Sequence, residues 1–231
     1  MRTVALIVAA GRGERMGAAD PKQFLAVAGR PLVAHCLDRF VAAGGIDEIV
    51  IALPSPRDLD THITPHGPWP VPVRAVQGGD TRQKSVGAAL EAAVGADMVV
   101  VHDGARPLVT VEAIREVMRR AASTGAAIVA SICTDTIKEV DNGQVVRTLE
   151  RERLVRTQTP QAFRADWLRE AHRAAVRDRF AGTDDAALVE RLRHPVAVVL
   201  GEPANIKVTT PGDLLLVEGL LRAARPPGTG S

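Results

Sequence analysis

Aromatic residues are scarce in this chain: they make up 3% of its 231 residues, and tyrosine is missing altogether. Because 46% of the residues are nevertheless hydrophobic, the core of what reads as one ordinary globular domain has to be built mainly from Val, Leu, Ile and Ala. Cysteine is scarcer still, with Cys36 in a helical pattern and Cys133 at a strand end. Two such residues read as small buried hydrophobes, which argues against a disulfide scaffold. No apolar run approaches the ~20 residues of a membrane span, and Met1-Arg2 leads into a strand-like segment with no small-residue cleavage site. A membrane role is disfavoured and a cytoplasmic location is expected. An excess of one charge is also missing: 29 Lys plus Arg stand against 27 Asp plus Glu, a formal +2, and the basic residues are scattered. Nucleic acid is therefore not an expected partner. His35, His62, His66, His102, His172 and His194 show no metal-ligand spacing, and neither a Ser-His-Asp nor a Cys-His arrangement is visible.

What is present is an alternation of short β-branched runs with longer helical stretches, the pattern of an α/β doubly wound, mostly parallel sheet. Strands are expected near 3–10, 48–53, 73–76, 97–102, 126–132 and 196–200, and helices near 31–43, 81–94, 110–123, 164–178, 184–193 and 211–224. Capping chemistry marks several helix starts: Asp80 before Thr81-Arg82-Gln83, Thr110, and Thr210 before Pro211. The stretch 54–72 carries six prolines and reads as a surface excursion, and 226–231 reads as a flexible tail after a single domain over 1–225. One segment breaks the alternation. Asp141-Asn142-Gly143 sits between two alternating runs, Thr134–Val140 and Gln144–Leu149, which is the strongest short signal for a β-hairpin. An isolated hairpin is marginal in water, so this arm, about 134–158, has to lie against its own sheet or a second copy of the chain. Its many charges, among them Lys138, Glu139, Arg147, Glu150 and Arg151, favour a protruding arm that reaches a second subunit.

The first strand runs into Gly11-Arg12-Gly13-Glu14-Arg15-Met16-Gly17 and then Pro21-Lys22-Gln23, a glycine loop that carries its own cations. Its spacing is one residue too long for the dinucleotide fingerprint, and Pro54 follows the second strand where an acidic residue would bind a ribose, so NAD is disfavoured. No Gly-Lys-Ser/Thr closes the loop, so a Walker-type ATPase is disfavoured too. A loop with Arg15 and Lys22 could instead flank a triphosphate and neutralise charge on a phosphoryl group. The competing structural reading is a glycine turn with solvated charges. Four further clusters fall at strand ends. Gly78-Gly79-Asp80-Thr81 with Ser85 suits a base or ribose, or is merely a capped turn. His102-Asp103-Gly104-Ala105-Arg106 offers a carboxylate that could hold a divalent metal, or an Asp–Arg ion pair. Arg151-Glu152-Arg153 with Thr159-Pro160-Gln161 follows the arm, and Asn205-Ile206-Lys207-Val208-Thr209-Thr210-Pro211 places a lysine before a helix, where a lone Lys is usually solvated.

Taken in order, the glycine loop, Pro21-Lys22-Gln23, Gly78-Gly79-Asp80-Thr81-Arg82, Val101–Pro107, Thr159-Pro160-Gln161 and Asn205–Leu214 resemble the 2-C-methyl-D-erythritol 4-phosphate cytidylyltransferase family of the non-mevalonate isoprenoid pathway. The resemblance implies a Rossmann-like nucleotidyltransferase that uses CTP as co-substrate, Mg²⁺ as divalent cation and a homodimeric assembly. It puts the catalytic roles on Arg15, Lys22, Arg151 and Lys207. Between Arg151 and Arg153 the residues alone leave a choice, and the family's spacing to Thr159-Pro160-Gln161 selects Arg151. Ala9, Ala10, Gly11, Gly13, Gly79, Asp80, Ser85, Asp103 and Gly104 would then hold the nucleotide. Asp103, Arg106, Thr136, Arg151, Thr159, Lys207 and Thr209 would hold the acceptor, with Asp103 the best candidate for the metal. Gly104 departs from the alanine more often found there, and Glu150 stands where Asp is common. Ribitol 5-phosphate cytidylyltransferase is the nearest alternative, and a catalytically silent nucleotide-binding protein on the same scaffold is another.

Overall fold

Alternation is already at work in the first strand: Val4 and Leu6 pack on one face of the sheet, Ala5 and Ile7 on the other. A strand covered on both faces belongs inside a parallel sheet, and that is where the computed structural model, which describes residues 1–11 and 21–223, puts it. In chain order the elements are β1 (Thr3–Val8), β2 (Ala26–Val27), β3 (Arg30–Pro31), α1 (Leu32–Ala43), β4 (Glu48–Leu53), β5 (Val73–Gln77), α2 (Arg82–Ala92), β6 (Met98–Asp103), α3 (Val111–Thr124) and β7 (Ala126–Ile132). There follow β8 (Lys138–Asp141), β9 (Gln144–Thr148), β10 (Val155–Arg164), α4 (Ala165–Arg177), α5 (Asp185–Arg191), β11 (Ala197–Leu200) and α6 (Pro211–Ala223).

Seven strands form the main sheet in the order β11-β7-β10-β6-β1-β4-β5. On one face α1 and α3 supply Val33, Leu37, Phe40, Ile114 and Val117; on the other α2, α4 and α5 supply Val86, Leu90, Leu168 and Leu188. A smaller apolar cluster seats α6, through Val217 and Leu221, on Val27, Leu32 and Val208. From β1 the chain first builds outward through β4 and β5, then returns to place β6 on β1's other side. The order therefore reverses between β1 and β6, and in an open α/β sheet ligands bind outside the carboxyl ends of the strands at that reversal.

Besides the short β2–β3 pair, two features depart from the sequence reading. β10 is an additional strand, inserted antiparallel between β6 and β7, and it takes in Val155 to Gln158 from the end of the stretch read as the arm. Its polar Thr157-Gln158-Thr159-Pro160-Gln161 run reads as a loop because the strand is irregular there, with a register shift between Thr157 and Gln161 that absorbs the proline. The N-cap of α2 is Thr81, whose hydroxyl accepts from Lys84 N–H at 3.2 Å, whereas the carboxylate of Asp80 pairs with Lys84 Nζ at 2.9 Å. The hairpin forms as a separate two-stranded ribbon, β8 with β9, and every residue of both strands is exposed. Neither strand of this ribbon pairs with the main sheet, which the stretch 134–158 joins only at its end, from Val155 on.

Candidate active site

Four strand ends converge on a cleft of about 830 Å³: Val8 to Gly11 after β1, Pro54 after β4, Gln77 to Thr81 after β5, and Asp103 to Ala105 after β6. Lys22, Gln23, Arg82, Ser85, Lys207 and Thr209 complete the wall. The floor is glycine because it must be. A Cβ on Gly78 would stand 2.2 Å from Ala10 Cβ, and one on Gly79 would stand 2.4 Å from Lys84 Cβ. Ser85, one turn into α2, accepts from Gly79 N–H at 3.1 Å and donates to Thr81 O at 3.0 Å, which pins the turn to its helix.

Asp103 is the electrostatic centre. Its side chain is only 8% exposed, with Oδ1 at 2.8 Å from Arg82 Nε and Oδ2 at 2.7 Å from Lys207 Nζ. Burial alone would raise this carboxyl, but Arg82 and Lys207 outweigh it and hold it well below the usual carboxylate range. Arg106 Nε stands off at 4.0 Å while its Nη1 donates to Asn205 O at 2.7 Å, tying the segment after β6 to the one that carries Lys207. Lys22 Nζ donates to Val208 O at 2.9 Å, so the two lysines approach the cleft side by side.

Behind Asp103 lies a buried neutral histidine. Burial pushes His102 down to about 4, and its Nε2 faces Arg106 O at 3.1 Å. A carbonyl only accepts, so the ring proton sits on Nε2, and Nδ1 accepts from the Thr159 hydroxyl at 3.0 Å. That leaves Thr159 Oγ1 to accept from Asp103 N–H at 3.0 Å. The hydroxyl proton of Thr159 is thereby committed inward, and the residue is buried behind Asp103 rather than lining the cleft. Asn205 completes the lock by donating to Gln158 Oε1 at 3.1 Å and Thr159 O at 2.9 Å.

Of the residues singled out from sequence, Ala9, Ala10, Gly11, Lys22, Gly79, Asp80, Ser85, Asp103, Gly104, Lys207 and Thr209 are brought together around the cleft. Arg106 and Thr159 stand behind it. Thr136 and Arg151 lie at the base of the arm, where Arg151 Nη1 donates to Thr134 O at 3.1 Å; neither is among the described residues that line the cleft. Arg15 and Gly13 lie outside the described residues. Arg82 and its second partner Asp185 were not singled out as site residues. Arg82 opens α2 directly after the glycine turn, and that position was the one signal available for it. As for a metal, among the described residues no three His, Cys, Asp or Glu side chains cluster as a cage. Asp103 is a single carboxylate lining the cleft, with Arg82 on one oxygen and Lys207 on the other, so it would take Mg²⁺, an ion that commonly uses one or two carboxylates and fills its shell with waters and phosphate oxygens, only on the oxygen that Lys207 leaves.

Comparison with known proteins settles the family. The model of the 2-C-methyl-D-erythritol 4-phosphate cytidylyltransferase family matches residues 3–223. The chain belongs to that family. The 2-C-methyl-D-erythritol 4-phosphate cytidylyltransferase of Bacillus mycoides is 44% identical over 221 residues, covering 95% of this chain and 98% of the relative. The cytidylyltransferase of the same name from Symbiobacterium thermophilum is 46% identical over 218 residues, covering 94% and 91%. Among solved structures, the 2-C-methyl-D-erythritol 4-phosphate cytidylyltransferase of Thermus thermophilus superposes with a TM-score of 0.78 at 38% identity, over 96% of this chain and 100% of the other. As a cytidylyltransferase-family member, the chain has the mostly parallel sheet and the β-hairpin expected from its sequence.

Proposed function

We infer that the chain is a nucleotidyltransferase that moves CMP from CTP to 2-C-methyl-D-erythritol 4-phosphate, giving CDP-methylerythritol and pyrophosphate. The observation that carries this is the convergence of Lys22, Lys207 and Asp103 on one glycine-floored cleft at the reversal of the strand order. Family membership over residues 3–223 favours methylerythritol phosphate over ribitol 5-phosphate as acceptor, and favours an enzyme over a silent nucleotide binder.

An oxygen of the acceptor phosphate attacks the α-phosphorus of CTP in line, the α–β bridging bond breaks, and the electron pair leaves with pyrophosphate. The nucleophile is already ionised at neutral pH, so the difficulty is to hold two anions together, and fixed cations do that by cancelling repulsion and setting the geometry. Lys22, with Arg15, serves the phosphorus as it passes through five-coordination. Lys207 positions the acceptor phosphate together with Arg151 of the partner subunit, which a homodimer would bring to the cleft through the arm. Exposure of the whole hairpin and the position of Arg151 outside the described lining support that assignment. The nucleotide side falls to Ala9, Ala10, Gly11, Gly79, Asp80, Ser85 and Gly104, and the acceptor side to Asp103, Arg106, Thr136 and Thr209, with Thr159 acting from behind by holding Asp103 N–H and His102. Asp103 would hold Mg²⁺, which supplies charge neutralisation on the phosphates when bound. Two free cysteines, one of them buried, support a reducing cytoplasm as the setting.

Pyrophosphate release from CTP, measured with methylerythritol phosphate and ribitol 5-phosphate in parallel, tests the reading. Turnover should be confined to the first, and Lys22→Ala should lower kcat by about 10²–10³, the scale for one preorganised transition-state donor. Faster turnover with the ribitol ester would overturn the acceptor assignment.

A further inference from the structure

Arg82 is not assigned a role by any of the motifs, yet two buried carboxylates hold it in place. It opens α2, the helix that follows the nucleotide-side turn, but its guanidinium reaches away from that turn to Asp103 Oδ1 at 2.8 Å and to Asp185 Oδ2 at 2.7 Å. Asp185 is 1% exposed at the start of α5, and His172 Nε2 lies 3.4 Å from its other oxygen. Burial would lower the Arg82 guanidinium, but Asp185 and Asp103 outweigh it and raise it, just as Arg82 holds Asp185 low against burial. The fork geometry of arginine suits this bridge, since a planar guanidinium can serve two carboxylates at once.

The consequence concerns Lys207. Among the described residues Asp103 has two cations in contact, one on each oxygen, with Arg106 Nε standing off at 4.0 Å, and the two in contact differ: Arg82 is held from behind by a buried carboxylate, whereas Lys207 is a point charge on a flexible stem and is 37% exposed. In this structure Lys207 rests on Asp103, so it must be shared or released to serve an acceptor phosphate. A nearly buried carboxylate left without a cation is strongly disfavoured. We propose that Arg82 is a positioning residue which, braced by Asp185, keeps Asp103 compensated and so frees Lys207 for the incoming phosphate of the acceptor. This rests on the cytidylyltransferase reading of the cleft and extends it to a residue on the nucleotide side that acts on the acceptor side.

The assignment separates from a purely structural role by where the damage falls. If Arg82 only supported the start of α2, losing it would disturb the Gly79–Ser85 turn and CTP binding first. If it compensates Asp103, its loss leaves Lys207 as the main cation on Asp103, holds the lysine there, and weakens acceptor use while sparing CTP. Removing Arg82 alone would strand Asp185, so the informative variant is the pair Arg82→Gln with Asp185→Asn, which deletes both charges together. In that variant the KM for the acceptor phosphate should rise about tenfold and the KM for CTP should stay within about twofold, the uniform-binding pattern applied to one substrate. Arg82→Lys, which keeps charge but not the fork, should fall between the variant and the wild type.

A second readout needs no turnover. The chain has four lysines, Lys22, Lys84, Lys138 and Lys207. Limited acetylation followed by peptide mass spectrometry gives the labelling rate of Lys207 relative to the exposed arm residue Lys138. That ratio should fall about threefold in the paired variant, as the stronger ion pair shields the amine. An unchanged labelling ratio, or a CTP KM that rises as much as that of the acceptor, refutes the role of Arg82. Failure of the wild type to transfer CMP to methylerythritol phosphate would instead strike the proposed function, and the labelling ratio would still decide the inference.

Discussion

At the scale of single residues, the cleft is set by two glycines whose tolerance for a methyl group differs. A Cβ on Gly78 meets Ala10 Cβ at 2.2 Å, a distance that only backbone movement of the β1 end or the β5 end can relieve. A Cβ on Gly104 meets Ala9 Cβ at 3.0 Å and Val8 O at 3.3 Å, a tight contact that shifts of a few tenths of an ångström accommodate. Gly78→Ala should therefore cost about 1–3 kcal/mol, the usual penalty for overpacking. For a chain of this length that lowers Tm by about 2–4 °C per kcal/mol. CTP affinity should fall with it, because Ala10 and Gly78 line the same wall. Gly104→Ala should leave Tm and CTP affinity nearly unchanged, in keeping with the alanine that the family resemblance expects there. Thermal unfolding and calorimetric CTP titration of the two variants check the contrast. Equal damage from both would mean that the spacing between the β1 and β5 ends does not govern the pocket.

At the scale of elements, what could be read in advance was whatever has period and punctuation. The parallel strands announce themselves because both faces are covered and apolar, as in Ile49-Val50-Ile51 and Val99-Val100-Val101, and the hairpin because Asn142-Gly143 supplies the two positive-φ residues its turn requires. Strand β10 could not be read that way. Its site half is polar, since Gln158, Thr159 and Gln161 are buried to bond His102, Asp184, Asn205 and the backbone rather than to fill the core. Polar satisfaction depends on partners distant in sequence, and no local pattern carries it. The same reason hid Arg82 and Asp185, which are separated by 103 positions and joined only by the fold.

The lock between β6 and β10 has a pH signature. His102 falls from an ordinary 6.5 to about 4 because of burial, so the unfolded chain takes up a proton at a higher pH than the native state does. A histidine depressed in this way costs stability as pH falls from 6.5 toward 4, by roughly 3 kcal/mol across the window. His102→Gln should be less stable than the wild type at pH 7, by about 1–3 kcal/mol for the broken hydrogen bonds. It should also lose less on acidification, so the two Tm-against-pH curves converge toward pH 4. Curves that stay parallel through this window would show that His102 is not the group that titrates.

At the scale of the whole molecule, the exposed arm calls for a partner. β8 and β9 present Val140, Val145 and Val146 at 58–60% exposure, and a two-stranded ribbon with that much bare apolar surface is poorly stable by itself. Exchange of arms across a two-fold axis would cover it and would carry Arg151 into the other subunit's cleft. Such an exchange makes each site a composite, with Lys207 from one chain and Arg151 from the other. Complementation can detect this. In Arg151→Ala homodimers every site lacks the arginine, and in Lys207→Ala homodimers every site lacks the lysine. If subunits of the two variants reassort at random, half of the dimers are mixed, and in each mixed dimer one site regains both groups while the other loses both. Roughly a quarter of all sites are then intact, so activity should climb from the low level of either variant to about a quarter of the wild type. If Arg151 served the cleft of its own chain, every site would still lack one group whatever the mixing. Activity would then stay at the average of the two parents, and the composite site would have to be abandoned. Sedimentation at micromolar concentration, run on the same mixtures, establishes that dimers are present to reassort.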